Sequence, residues 1–501
     1  MKYSSLTALC IALALAACQE GDSASSGTTT NGGTVNNSNT PADASVSDSG
    51  DVSQPSSEEG DAESSNFFYF SYDDSASTAS KSIAVTAIGN GYTPSQDLGR
   101  AYEFLNAERF THFNEEDLGP FSVSMGLHQT DNIDIPLQAS DLDHELNYAL
   151  GVNLSGPSLT KASRPNVVLT VLVDISGSME SYYSSQTGIE TESLLDVVKH
   201  GLTSMPQSLK EGDVINLVTF DDRTTVVLEA AAYNDSRLVG LVNDLSTRGS
   251  TNIDLGISAA YDVAIRNYDS EKSNRVVIIT DAYANTGQID STVISQNVVI
   301  NGLEGIHFAG IGVGSNFNDA FLNNLTDIGR GAYSAMVSPS DAVNIFTEGF
   351  MRFVDHAVGD VRFKLTYPGG LEHLITAAEE VSQNEDDVQT INFSYNDSQF
   401  FLEVFGADAV LADDAEFELE VSYKDDDGNA QLVQYTKSVE EILGQGREQI
   451  YTAAAVASLA GLINGTLNCT DTLSTNLATI DLNAPLLTEY QDLISAYCLM
   501  R

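Results

Sequence analysis

The chain has 501 residues, of which 71 are acidic and 22 basic, giving a formal net charge of −49. So large a negative excess argues against nucleic acid and against an anionic membrane surface as partners, and it favours solubility at high ionic strength. Part of this acidity is solvated surface.

The chain begins MKYSSLTALCIALALAAC, where Lys2 precedes an apolar stretch from Leu6 to Ala17 that is too short to span a bilayer. Leu15-Ala16-Ala17-Cys18 resembles the lipobox of bacterial lipoproteins. That resemblance implies a diacylglyceryl group on Cys18, cleavage just before it, and an anchor in the cell envelope. Gln19 is not the aspartate associated with inner-membrane retention, so the outer membrane is the expected location. From Gln19 to Asn66 there is no aromatic residue, Lys or Arg, and such composition cannot offset its ordering entropy by burial. About 48 residues of this kind reach roughly 40 Å, which reads as a tether. No other segment is apolar enough over sufficient length to cross a membrane.

About 430 residues remain, enough for two or three domains. Residues 67–165 read as β-rich, with Leu146, Tyr148, Leu150, Val152 and Leu154 alternating as in a half-buried strand. Residues 166–359 alternate strands and helices. The runs Val167–Val173, Val214–Phe220, Thr225–Leu228, Arg275–Thr280 and Phe308–Val313 are apolar enough for strands covered on both faces. Between them, Leu194, Val198 and Leu202 share a helical face, as do Ile253, Ile257, Ala260, Tyr261, Ala264 and Ile265. A last helix is expected over Asp341–His356. The implied fold class is α/β, a doubly wound, mostly parallel sheet.

Residues 360–440 return to β patterning. Strands are expected at Val361–Tyr367, Thr390–Tyr395 and Gln399–Phe405, and Phe417, Leu419, Val421 and Tyr423 lead through an Asp427-Gly428 turn into Gln431–Thr436. β segments on both sides of the α/β unit suggest one β-sandwich interrupted by it. Residues 441–501 read as helical. Cys469 and Cys498 there, in a chain marked for export, suggest a disulfide; closing about 30 residues contributes roughly 3–4 kcal/mol in the chain-entropy model.

The strongest chemical signal is DISGS at 174–178, directly after the first buried strand. An aspartate at the strand end with hydroxyls two and four residues on presents oxygens to one point, as a hard cation requires. Thr251, just before a helix, and Asp281, at the end of another buried strand, supply two further oxygens. In order and spacing these elements resemble von Willebrand factor type A domains over about 195 residues, with VTFDDRTTVVL at 218–228 and GIGVGSNFN at 310–318 also matching. The resemblance implies a metal-ion-dependent adhesion site whose ligands are Asp174, Ser176, Ser178, Thr251 and Asp281. It implies Mg²⁺, with Mn²⁺ and Ca²⁺ left open. Three of the five ligands are neutral, so the cation stays electron-poor and accepts a carboxylate from a protein partner in place of water. FLNAERFTHFNEEDLGPFSV at 104–123 adds a looser likeness to bacterial lipoproteins in which such a domain sits between segments of a second one.

Weaker features are the glycine-rich 310–314, read as a turn, and Lys424–Asn429, read as a solvated hairpin. Asp131, Asp134, Asp141 and Asp143 read as loop surface, while Glu180 with Asp221 and Asp222 offers a possible second cation site. Neither H-E-x-x-H nor G-x-S-x-G is present, and nothing near the metal motif supplies a base or nucleophile. The expected function is therefore cation-dependent protein binding for adhesion or envelope assembly, not catalysis. The alternatives are a structural envelope protein with a stabilising ion, and a metal-dependent hydrolase.

Overall fold

The structure, a computed structural model, describes residues 66–72, 77–130, 146–183, 192–290, 305–329, 332–353, 356–425 and 428–501, with isolated positions between them. The segments expected to be an export signal with Cys18 and, as far as Ser65, a tether lie outside the described residues, as do the four acids of residues 131–143 and Asp427, while Asn66, expected to end the tether, belongs to a strand. Among those that are described, no helix is long and apolar enough to cross a membrane.

Strand β1 (Asn66–Ser71) is followed by helices α1 (Ala79–Gly89) and α2 (Ala101–Ala107), then by β2 (Glu116–Leu118), β3 (Phe121–Thr130) and β4 (Leu146–Ser155). The α/β unit comprises β5 (Val167–Asp174), α3 (Leu194–Ser204), β6 (Val214–Phe220), β7 (Thr224–Ala232), α4 (Leu238–Asn243) and α5 (Ile253–Arg266). It continues with β8 (Ser273–Thr280), β9 (Ile306–Val313), α6 (Asp319–Gly329), β10 (Ala332–Met336) and α7 (Pro339–Phe346). Seven strands return: β11 (His356–Tyr367), β12 (Leu371–Thr376), β13 (Glu380–Ser382), β14 (Ile391–Ser394), β15 (Ser398–Ala407), β16 (Glu416–Lys424) and β17 (Ala430–Ser438). Helices α8 (Val439–Ile442), α9 (Arg447–Asn464), α10 (Cys469–Ser474) and α11 (Pro485–Leu499) close the chain.

The α/β sheet has the order β10-β9-β8-β5-β6-β7, parallel throughout except for the antiparallel edge strand β7. All eight residues of β5 are buried, which is why its sequence is apolar without alternation. After β6 and β7 the chain crosses to β8 on the other side of β5. The β5/β8 boundary is therefore the switch in strand order at which such sheets open a crevice.

The other two sheets are antiparallel and both draw on segments from either side of the α/β unit. In one, β1 pairs with β11, placing Phe70 opposite Phe363. In the other, β4 lies between β3 and β15, placing Val152 opposite both Met125 and Phe401. The sheets meet through aromatic rings: Phe401 lies 4.8 Å from Phe70, edge on, and 4.9 Å from Phe363. Each such pair contributes about 0.5–1.5 kcal/mol beyond the area it buries. An interrupted sandwich is thus the arrangement found.

Strand β4 departs from the half-buried pattern expected of it: all but its two end residues are buried. Its second face lies under α9, and Gly151 makes room there, where a Cβ would come within 2.6 Å of Phe400 and 2.7 Å of Ile450. Helix α9 is itself buried around most of its circumference, and its alanines permit that close approach. The helix expected over Asp341–His356 is also shorter. It ends at Phe346, where Thr347 (φ −117°, ψ −84°) turns its hydroxyl back to the Val343 carbonyl, and a 3₁₀ turn, Glu348–Phe353, carries Phe350 and Phe353 into the core. Ile265 is not on the buried face of α5 but 49% exposed, because it falls one helical step beyond Ala264.

Cys469 and Cys498 form a disulfide that ties α10 to α11. At the far end of β5, Arg164 and Asp213 form a fully buried ion pair, with Asp213 also accepting the Val167 amide. Arg164 lies over the Phe350 ring, so the entry and exit of the α/β unit are held at one point. Replacing Gly151 by alanine should force Phe400 and Ile450 apart and lower stability by about 1–3 kcal/mol, measured as a shift in urea midpoint at unchanged slope.

Candidate metal centre

Asp174 is the last residue of β5 and is completely buried. Its Oδ1 accepts the Ser176 amide at 2.8 Å, and its Oδ2 accepts the Thr280 hydroxyl at 2.6 Å. Ser176 Oγ lies 3.1 Å from Ser178 Oγ, and the Ser178 hydroxyl bonds in turn to the Asp281 carboxylate. Ser176, Thr251 and Asp281 are buried, whereas Ser178 is half-exposed and marks the solvent side.

Three loops are stitched together around these groups. The Arg248 amide donates to the Ile175 carbonyl at 2.7 Å and the Gly177 amide to the Gly249 carbonyl at 3.2 Å, so the Thr251 loop rides on the DISGS turn. Gly249 has φ +68°, and a Cβ there would press against Asp221 and Asp222 at 2.9–3.1 Å, so only glycine suits this turn. The Thr251 carbonyl accepts the Asn285 and Thr286 amides, both at 3.1 Å, and the Thr251 amide donates to Asn285 Oδ1 at 2.9 Å. Asp281 is held by its neighbours as well: its carbonyl accepts the Asn318 amide at 2.9 Å and its carboxylate the Tyr283 amide at 3.3 Å.

Electrostatically this is a cavity short of positive charge. Burial pushes the Asp174 carboxyl from 3.8 up to about 6; the Thr280 and Ser176 hydrogen bonds oppose that shift, and the nearby Asp281 charge adds to it. Burial also raises the Asp281 carboxyl, against bonds from Ser178 and the Tyr283 amide. Among the described residues, the two buried carboxylates are met by the Ser176, Ser178 and Thr280 hydroxyls and balanced by neutral donors alone, a set of oxygens that a hard divalent cation accepts. Ionised, the pair carries two of the charges that such a cation would neutralise.

The five residues singled out in the sequence thus lie on three loops at one end of the sheet. Three further residues were not foreseen. Thr280 fixes the second oxygen of Asp174, and its only sequence signal is its place beside Asp281. Asn318 lies within the matching stretch GIGVGSNFN but carries no evident role in sequence, and Asn285 carries no signal at all. The Glu180, Asp221 and Asp222 grouping does not form a second site. Asp221 is taken up by Arg248 at 2.6 Å and by the Arg223 amide at 2.7 Å, while Glu180 and Asp222 are exposed. No three His, Cys, Asp or Glu among the described residues gather to hold a metal. In 310–314, Gly314 (φ +86°) makes the turn, and Gly310 and Gly312 admit Thr326 and Phe317.

Residues 169–284 match the model of the von Willebrand factor type A domain. The chain is 25% identical over 226 residues to protein YfbK of Escherichia coli K12, covering 45% of this chain and 38% of YfbK. It is 28% identical over 192 residues to inter-alpha-trypsin inhibitor heavy chain H3 of Mesocricetus auratus, covering 36% of this chain and 20% of that protein. The chain therefore spans well under half the length of these relatives. Among solved structures, a von Willebrand factor type A protein from Catenulispora acidiphila is similar at 13% identity, with a TM-score of 0.40 and coverage of 70% of this chain and 82% of that one. This chain is thus a protein containing a von Willebrand factor type A domain, related through it to YfbK and to the inter-alpha-trypsin inhibitor heavy chains.

Proposed function

We propose that the protein is a lipid-anchored surface protein of the cell envelope, held through Cys18 at the outer membrane, that binds a protein partner through a divalent cation. Asp174, Ser176, Ser178, Thr251 and Asp281 hold the ion, and the partner supplies an acidic side chain. The observation that carries this reading is the pair of buried carboxylates that, among the described residues, neutral donors alone balance, with half-exposed Ser178 at their solvent edge. A cation held by so few protein charges keeps its affinity for one more carboxylate, which is binding chemistry. Mg²⁺ suits a set in which some positions stay with water, while Mn²⁺ and Ca²⁺ use similar oxygen ligands. Among the described residues no paired base and nucleophile stands at this centre, and we read it as a binding module.

A second reading has its own support. Relief of the repulsion between Asp174 and Asp281 would make the ion a stabiliser of the envelope protein, with no partner at all. Partner capture separates the two, because a purely structural ion leaves binding unchanged wherever the fold is restored.

Calorimetric titration of Mg²⁺ into the metal-free full chain should give one equivalent bound, and Asp174→Ala should abolish it. A folded wild type that takes up no Mg²⁺, Mn²⁺ or Ca²⁺ would remove the assignment. Protonation competes with the ion, so affinity should fall as pH drops through about 6. In the metal-free protein the sign reverses for stability. With its carboxyl raised from 3.8 to about 6, Asp174 favours the native state below pH 4, and that contribution is lost as pH rises through 6, on the order of 3 kcal/mol by pH 7. Thermal melts in chelator should show this decline, Mg²⁺ should reverse it, and Asp174→Asn should flatten both responses.

A further inference from the structure

Helix α6 begins beside the metal centre and is gripped from two sides. Asn318 caps it, its Oδ1 accepting the Phe321 amide at 3.3 Å and its carbonyl the Leu322 amide at 3.2 Å, while its own amide donates to the Asp281 carbonyl at 2.9 Å. The next residue, Asp319, accepts the buried Tyr333 hydroxyl on Oδ1 at 2.6 Å and Arg100 Nη2 on Oδ2 at 2.6 Å. Arg100 does not belong to the α/β unit: it immediately precedes α2. Its Nη1 is bound to Glu103, whose side chain is 1% exposed and whose Oε2 accepts the Ser77 hydroxyl at 2.7 Å and the Ser80 amide at 2.9 Å. Burial alone would depress the Arg100 guanidinium, but Glu103 and Asp319 outweigh it and raise its pKa overall.

We infer that Arg100 is a positioning residue through which the helices flanking the α/β unit set the place of Asp281 in the metal centre, by way of Asp319 and Asn318. The fork geometry of a guanidinium suits the role, since one planar group joins two carboxylates on separate elements. Asn318 converts the pull on α6 into a contact with the backbone of a ligand residue, not with its carboxylate. The flanking helices thereby bear on the metal affinity of a domain to which they contribute no ligand. This inference rests on the metal reading proposed above.

The test uses the full chain with Asp319→Asn, which keeps the shape and leaves Arg100 on Glu103, and Arg100→Lys, which keeps the charge without the fork. Two quantities are read for each: exchange of the Asn318 amide in metal-free protein, and Mg²⁺ affinity by calorimetry. We expect Asn318 to exchange faster by about tenfold in both variants, with Ile278 in the sheet unchanged. Mg²⁺ affinity should fall about tenfold, the lower end for groups that orient metal ligands. Wild-type Asn318 exchange in both variants overturns the inference, and so does faster exchange with unaltered affinity. If the wild type binds no Mg²⁺, the metal reading falls by itself, and Asn318 exchange still decides whether Arg100 governs the start of α6.

Discussion

The structure turns on the parallel pairing of β5 with β8. That register sets Val173 opposite Ile279, so Asp174 and Asp281, 107 positions apart in the chain, arrive at the same end of neighbouring strands. Both strands are covered on two faces, and the carboxylates are buried as a consequence of where they stand. Burial with like charge alongside is expensive, and it raises the Asp174 carboxyl. The surrounding hydroxyls and amides lessen that cost without removing it. The fold nonetheless keeps both carboxylates from escaping to water.

The loops follow from the same constraint. Once Asp174 ends β5, the chain must turn sharply beneath the Thr251 loop, which explains the small residues of Ser176-Gly177-Ser178 and the positive φ at Gly249. Buried Ala282 also has φ of +59°, an uncommon conformation for a residue with a Cβ, and its amide donates to the Thr280 hydroxyl that holds Asp174. Local backbone conformation and site geometry are thus set together.

Around the α/β unit the sandwich obeys a different rule. It cannot close until chain from both sides of the insertion has arrived, because β1 needs β11 and β4 needs β15. Polar bonds then join the two parts. Arg100 reaches Asp319, while Arg109 and Arg352 share fully buried Asp397 at 3.1 and 2.7 Å. Taking the Asp397 carboxylate out of water offsets much of the attraction in these links, so their net contribution to stability is small.

By itself the sequence determined those features whose cause is local. The apolar runs at Val167–Val173 and Arg275–Thr280 announce strands covered on both faces. The order Asp174, Ser176, Ser178, Thr251, Asp281 marks groups that meet at one end of the sheet, because strand ends and the following turns are short-range features. The alternating Phe417, Leu419 and Val421 place β16 correctly on a one-sided sheet. What only the tertiary structure decided depends on which surface lies opposite. Strand β4 looks half-buried in sequence because the second cover, α9, is supplied from nearly 300 residues further on, and Gly151 cannot declare what it makes room for. Asp221 looks free to bind a cation until Arg248 is folded against it. Thr280, Asn318 and Arg100 bear on the site through single bonds to distant chain, and pairing across such distances leaves no periodicity for the sequence to display.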